Sequence, residues 1–180
     1  MDKKSNLVWI DLEMTGLDPK RHVILEIATI ITNKELEVIA EGPTLTIQPP
    51  ANALEQMDEW PRELHTSSGL LDAAQASKTT VDNAEEQTLN FIQQYCNYGV
   101  SPLCGNSVWQ DKTFLQRYMP RIVDFLHYRI IDVTSIKELV LRWYSDNPHA
   151  EFKKKDTHRA LDDIIESIEE LRYYRKNFFV

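Results

Sequence analysis

Two carboxylates one residue apart, Asp11 and Glu13, follow the apolar run Leu7–Ile10. In a strand, positions i and i+2 point to one side, so both acids stand together at the end of a strand buried on both faces. Like charges that close raise one another's pKa or need a cation between them, and hard divalent cations take oxygen ligands. Thr15-Gly16 then turns the chain. A third acid, Asp111, ends the stretch Gly105-Asn106-Ser107-Val108-Trp109-Gln110-Asp111. Asp111 fits a helix N-cap and equally a further metal ligand. Ser107 and the backbone N–H groups beside it fit a phosphate. The segment His158-Arg159-Ala160-Leu161-Asp162-Asp163 heads the last helical stretch, behind three lysines at 153–155. Periodicity does not separate Asp162 from Asp163, because both lie off the apolar face.

The elements that must position these residues read as a mixed sheet packed by helices, α/β in class. Leu7–Ile10 and Val23–Thr32 are strand-like, the second rich in β-branched residues. Leu36–Ala40 and the alternating Thr44–Gln48 follow over short links, which predicts an antiparallel meander. Residues 51–75 are mixed and helical in pieces, with Trp60-Pro61 excluded from the interior of a straight helix. Val81, Ala84, Thr88, Phe91, Ile92 and Tyr95 share one helical face behind Thr79 or Thr80 as N-cap. Leu103–Asn106 and Tyr128–Asp132 are further short strands. Helices are predicted over Lys112–Met119, Val133–Trp143 and about Thr157–Lys176, the last with Leu161, Ile164, Ile165, Ile168 and Leu171 on one face.

The 180 residues suit one domain, with a core spanning about 7–172. No internal repeat, low-complexity segment or linker interrupts it. The net charge of −8 argues against non-specific binding to long nucleic acid, which rests on many cationic contacts to phosphate. A short anionic substrate held by metals and a few local cations is not excluded. Cys96 and Cys104 form no CxxC pair, which argues against a zinc ribbon and for reduced thiols in a cytoplasmic protein. No secretory signal and no membrane-length apolar run is visible.

Each acidic segment alone has an ordinary structural reading: solvation of a strand end, a helix cap, a surface histidine. Their conjunction is more specific. With Trp-Ile-Asp-Leu-Glu-Met-Thr-Gly-Leu at 9–17, Cys104-Gly105-Asn106-Ser107, Thr157-His158-x-Ala160-Leu161-Asp162-Asp163 and Tyr173-Tyr174-Arg175, the chain resembles the DEDDh exonucleases of ribonuclease H-like fold. More narrowly, it is similar to the oligoribonucleases over nearly its whole length. The resemblance implies that Asp11, Glu13, Asp111 and Asp163 are metal ligands, choosing Asp163 over Asp162, and that His158 is the general base. Four carboxylates suit two Mg²⁺ or Mn²⁺ ions, which clamp the attacking and leaving oxygens of an in-line displacement at phosphorus. Histidine takes a proton well near neutral pH. The implied reaction is 3′-to-5′ hydrolysis of very short RNA to 5′-mononucleotides.

For substrate binding the resemblance points to Leu17 as an apolar wedge, Trp60 as a stacking face, and His65 beside them. Their ordinary readings are a turn residue, a core residue and a turn cap. It also implies that Tyr128 and Arg129 reach into a partner subunit's active site. There Arg129, Thr134 and Ser135 would close over the 5′ phosphate opposite Ser107. That arrangement implies a homodimer and a preference for very short RNA. The plain alternative for 128–135 is a strand end followed by a helix cap at Asp132. A DNA-trimming or proofreading exonuclease would use the same five residues. A haloacid-dehalogenase-type phosphatase is a weaker match: Asp11-x-Glu13-x-Thr15 loosely fits its start, but the chain has no Gly-Asp dipeptide. A catalytically dead binding module would not need all five.

Overall fold

The computed structural model describes residues 3–153 and 159–179. Thr157, His158, Lys154 and Lys155 lie outside these described residues. In chain order, β1 (Leu7–Met14), β2 (Ile24–Thr32), β3 (Val38–Glu41) and β4 (Leu45–Thr46) come first. They are followed by α1 (Glu59–Ser67), α2 (Leu70–Ala76), α3 (Val81–Tyr95), β5 (Pro102–Gly105), α4 (Trp109–Tyr118) and α5 (Pro120–Phe125). Then come β6 (His127–Asp132), α6 (Val133–Trp143) and α7 (Ala160–Phe178). Among the described residues the strands form one mixed six-stranded sheet of order β3-β2-β1-β5-β6, with β4 also on β2.

β1 pairs antiparallel with β2 and parallel with β5, and β5 pairs parallel with β6. Parallel neighbours need a crossover, and helices supply it between β1 and β5 and between β5 and β6. The predicted meander of β2, β3 and β4 holds for the β2–β3 pair but not beyond. β4 pairs with β2 at Glu26 and Ile27, whereas β3 pairs with it at Ile30 to Thr32. Gly42-Pro43 between them ends β3 by removing a donor, and two short strands share one edge of the long one.

Each β1 side chain alternates between two cores, as period two requires. Val8, Ile10 and Leu12 pack against a core that includes Ala84 and Ile92 of α3, Phe114 and Leu115 of α4 and Ile122 of α5. Trp9 enters the opposite core with Ala28 and Ile30 of β2, Val133 and Val140 of α6 and Ile164, Ile168 and Tyr174 of α7. Asp11 and Glu13 share the parity of Trp9, so they face α7. All nine residues of β2 are buried, and that includes one acid, Glu26.

Trp60-Pro61 stays out of the helix interior, in the first turn of α1, where the missing proline N–H has no helical partner to lose. Two local readings change. α4 begins at Trp109 with Val108 at the cap position, so Asp111 sits inside the first turn and is not the N-cap. Ile165, grouped with the apolar face of α7, is exposed. Thr80 does cap α3, accepting from Asn83 N at 3.2 Å, and Asp132 caps α6 by accepting from Thr134 N. Both cysteines are free and buried. Among the described residues no helix is long and apolar enough to cross a membrane.

Candidate active site

The end of β1 carries the acids. Carboxylate oxygens of Asp11, Glu13 and Asp163 lie within 4.8 Å of one another. β1 supplies the first two by its alternation, and the first turn of α7 supplies Asp163. Asp162 is exposed and is not one of the three. Burial pushes the Glu13 carboxyl up to about 8, helped by the charges of Asp163, Glu26 and Asp111 and opposed by Arg159. A carboxyl held that far above its usual range is one that burial first, and neighbouring negative charge second, keep from ionising.

Asp111 stands beside this cluster. It is buried, and its Oδ1 accepts from Leu12 N at 3.0 Å. β5 ends at Gly105 while β1 runs on, so the Leu12 N–H meets a side chain in place of a strand neighbour. Burial raises the Asp111 carboxyl to about 7 against the lowering effect of its backbone hydrogen bonds, with the Asp132 charge adding to the rise. The donor set, crowded carboxylates with raised pKa values, fits a hard divalent cation.

Arg159 and Glu26 hold the head of α7 in place. The fully buried Glu26 carboxylate accepts from Arg159 Nη2 at 2.6 Å, Arg159 Nε at 3.2 Å and Ala160 N at 3.2 Å. Glu26 is the cross-strand partner of Glu13 and so lies on the α7 face. Sequence reasoning missed this pair. The signal was a lone acid in the apolar run Ile24–Ile31.

A cleft of about 260 Å³ opens next to Glu13, lined by Met14, Leu17, Trp60, Pro61 and His65 among others. Leu17 and Trp60 are each 66% exposed, so Trp60 is not a core residue. His65 is buried, with Nε2 3.0 Å from the Met14 carbonyl and 3.7 Å from Glu13 Oε2. It is therefore part of the cleft wall and not a turn cap. The Leu17 loop is tied down on three sides. Gln110 Nε2 donates to the Leu17 carbonyl at 2.6 Å, Asp58 N donates to the Thr15 carbonyl at 3.0 Å, and Asp18 N donates to His22 Nδ1 at 3.0 Å. Gly16 is required by close approach: a Cβ there would lie 2.5 Å from Asp58 Oδ2 and from the His22 ring.

Ser107 lies between β5 and α4. Its backbone N–H is shared between Asp132 Oδ1 at 3.0 Å and Thr134 Oγ1 at 2.9 Å, and its hydroxyl is 3.2 Å from Thr134 Oγ1. Ser107 and Ser135 are exposed and Thr134 is half-buried. Tyr128 and Arg129 extend from the edge strand β6, both exposed, with the guanidinium 5.2 Å from the tyrosine ring centroid. Lys112 Nζ donates to the Tyr128 carbonyl at 2.6 Å. Thus Ser107 and Thr134 meet within the chain, while Tyr128 and Arg129 are presented outward.

Comparison with known proteins adds a family and a fold. The exonuclease family designated RNase T matches residues 8–171. The chain is 53% identical over 180 residues to the oligoribonuclease of Dichelobacter nodosus, covering 100% of this chain and 98% of that one. It is 51% identical over 175 residues to the oligoribonuclease of Haemophilus influenzae, covering 97% and 96%. Among solved structures, exonuclease I of Methylocaldum szegediense superposes with a TM-score of 0.68 at 18% identity over 97% of this chain. The chain spans only 41% of that exonuclease I. Pop2p of S. pombe, solved with Mg²⁺ and Mn²⁺, gives 0.70 at 14% identity over 96% of this chain and 84% of its own. At such identities the structures speak for the fold, the mixed sheet flanked by helices of ribonuclease H-like exonucleases.

Proposed function

The chain belongs to the RNase T exonuclease family and is a hydrolytic exoribonuclease, and from that premise we propose that it degrades very short RNA, dinucleotides above all, from the 3′ end to 5′-mononucleotides. The observation that carries the reading is the convergence of Asp11, Glu13 and Asp163 at the end of β1, with Asp111 beside them, in a chain alignable end to end with oligoribonucleases.

Asp11, Glu13, Asp111 and Asp163 would hold two divalent ions, Mg²⁺ or Mn²⁺. When bound, such ions supply positive charge to the attacking and leaving oxygens of the phosphoryl displacement. His158 is the general base in this reading. Arg159, its neighbour in sequence, is bound to Glu26, which anchors the chain just after the histidine and just before Asp163. Leu17 and Trp60 give the cleft two exposed apolar surfaces for the terminal bases, which stacking holds without reading sequence. His65 closes the wall between them and Glu13.

The 5′ phosphate is bound by Ser107 of one subunit, which Thr134 of that subunit supports, together with Arg129 and Ser135, and Tyr128 completes the catalytic site of the partner. Support for a homodimer comes from the outward Tyr128 and Arg129 and from exposed Leu139, Trp143, Tyr144 and Phe179 on α6 and at the end of α7. Exposed apolar groups collected in one region mark an interaction surface. The two free buried thiols suit the reducing cytoplasm.

The test is purified protein with Mg²⁺ and 5′-labelled RNA of two to ten nucleotides, scored for rate at each length, with DNA of the same lengths in parallel. Fastest turnover of dinucleotides supports the reading. Equal rates at every length would remove the short-substrate claim, and faster DNA cleavage would favour the trimming or proofreading alternative. Light scattering on the same sample reads the dimer.

A further inference from the structure

A chain of hydrogen bonds runs from the interior of α7 to the Ser107 turn, and its donor order is fixed. Asn106 Nδ2 donates to Ser167 Oγ at 2.8 Å and to Glu170 Oε2 at 3.0 Å. Both acceptors lie on the buried face of α7. Ser167 has committed its own hydroxyl hydrogen to the Asp163 carbonyl at 2.8 Å, so toward Asn106 it can only accept. The Glu170 carboxylate also accepts from Tyr174 OH at 3.0 Å. An amide nitrogen is therefore required on the inner side of Asn106, and its Oδ1 must face outward.

That Oδ1 accepts from Thr134 Oγ1 at 3.2 Å. Threonine has one hydroxyl hydrogen and two lone pairs. With the hydrogen spent on Asn106, Thr134 Oγ1 can only accept from its remaining neighbours, Ser107 N at 2.9 Å and the Ser107 hydroxyl at 3.2 Å. Ser107 needs such holding, because its φ of +49° lies in the left-handed region, which is unfavourable for a residue with a Cβ.

We propose that Asn106, oriented by Ser167 and Glu170, is a positioning residue that keeps Thr134 an acceptor and leaves the exposed Ser107 hydroxyl as the one that turns its proton to a 5′-phosphate oxygen. Thr134 thereby acts through Ser107 and does not itself donate to the phosphate. The inference rests on the reading of this turn as the 5′-phosphate site and refines it. It also ties two ends of the substrate to one helix. Ser167 and Glu170 orient the phosphate end, while Asp163, whose carbonyl Ser167 holds, lies in the acidic cluster.

The experiment compares kcat/KM for a dinucleotide with and without a 5′ phosphate, using the full chain with Mg²⁺, for the unaltered protein, Ser107→Ala, Asn106→Ala and the double variant. Thermal melting confirms folding of each. In the unaltered protein the 5′ phosphate should accelerate turnover. Ser107→Ala should reduce that preference about tenfold or more, the size of one charge-assisted hydrogen bond. Asn106→Ala should reduce it to a similar extent, with the loss in KM, while the unphosphorylated dinucleotide is cleaved within about threefold of the original rate. The double variant should lose no more than Ser107→Ala alone, since non-additivity marks two groups acting as one unit. If Asn106→Ala does not fold, Thr134→Val and Thr134→Ser carry the contrast. Valine should lose the preference without adding to Ser107→Ala, and serine should keep it. An Asn106→Ala protein that keeps the preference, or slows both substrates equally, overturns the positioning role and leaves the phosphate site standing. So do losses that multiply in the double variant. No preference in the unaltered protein overturns the phosphate site itself, and this inference with it.

Discussion

Removing Arg159 should cost more stability than neutralising Glu26, although the two residues share one ion pair. Glu26 is fully buried, while the Arg159 side chain is 40% exposed. In Arg159→Ala the carboxylate stays in the sheet with two weaker partners, Ala160 N at 3.2 Å and Thr46 Oγ1 at 3.4 Å, and with the Glu13 carboxyl as its cross-strand neighbour. Stranding a buried charge costs about 3–5 kcal/mol. In Glu26→Gln the amide oxygen still accepts from Ala160 N, and the freed guanidinium turns to water. The loss is then close to that of hydrogen bonds to a charged group, about 1.5–3 kcal/mol. The difference should be about 2 kcal/mol, readable as a shift in urea midpoint at unchanged m-value in metal-free buffer at pH 7.5. The double variant should be more stable than Arg159→Ala alone, because it no longer contains the stranded charge. Glu26→Gln costing as much as Arg159→Ala, or two losses that simply add, would refute the argument that the pair is a coupled buried unit. Asp163 N donates to the Arg159 carbonyl at 3.0 Å, so the same variants should also weaken divalent-ion binding, measured by titration calorimetry.

Asp111→Asn should abolish Mg²⁺-dependent hydrolysis while the fold survives, since the amide still accepts from Leu12 N; retained activity would take Asp111 out of the site. His158→Ala should lower kcat by about 10²–10⁴, the usual loss for a general base, with metal affinity kept; an unchanged rate would leave His158 without a chemical role. Metal-free protein should lose thermal stability as pH rises from about 5 to 8.5. The folded Glu13 and Asp111 carboxyls hold protons up to about 8 and about 7, well above their ordinary 4.5 and 3.8. Their contribution is therefore full at low pH and lost through that window. Added Mg²⁺ should raise the melting temperature more at pH 8 than at pH 6, because binding must displace those protons; a metal-free protein that gains stability across the window would contradict this. Trp60→Ala should raise KM for dinucleotides by about tenfold, the lower end of a lost stacking contact, and leave stability unchanged because the side chain is exposed.

The mixed sheet and the pairing of Asp11 with Glu13 were legible in the sequence because their determinants are local. Asp11 and Glu13 share a face by strand period, and the β-branched run ahead of Asn33 could only be a buried strand. Asp163 was separable from Asp162 only by family resemblance, since both lie off the apolar face of α7, and the fold then placed Asp163 alone in the cluster. What could not be read depends on where distant segments land. Leu12 N takes Asp111 only because β5 stops short of the end of β1. Glu26 finds a guanidinium 133 positions away in the chain. Asn106 gains its orientation from α7. β4 was misassigned to a meander because pattern alone does not say which strand a two-residue segment will pair with.

The buried acids explain how a protein of net charge −8 can take an anionic substrate. Each is answered differently. Glu85 is bound by Arg121 Nε at 2.7 Å and by Arg121 N. Glu170 receives Asn106 and Tyr174, and Glu26 receives Arg159 and Ala160 N. At Glu13 burial drives the carboxyl up to about 8, and the neighbouring charges of Asp163, Glu26 and Asp111 add to the rise. Where the fold needs an acid for structure it supplies a guanidinium or an N–H, and at the end of β1 it leaves the counter-charge to be provided from solution. A divalent cation there would do for Glu13 what Arg159 does for Glu26, and it carries enough charge to meet a phosphate as well. In the proposed reading that attraction is local, and with a net charge of −8 each further nucleotide beyond the site would gain little.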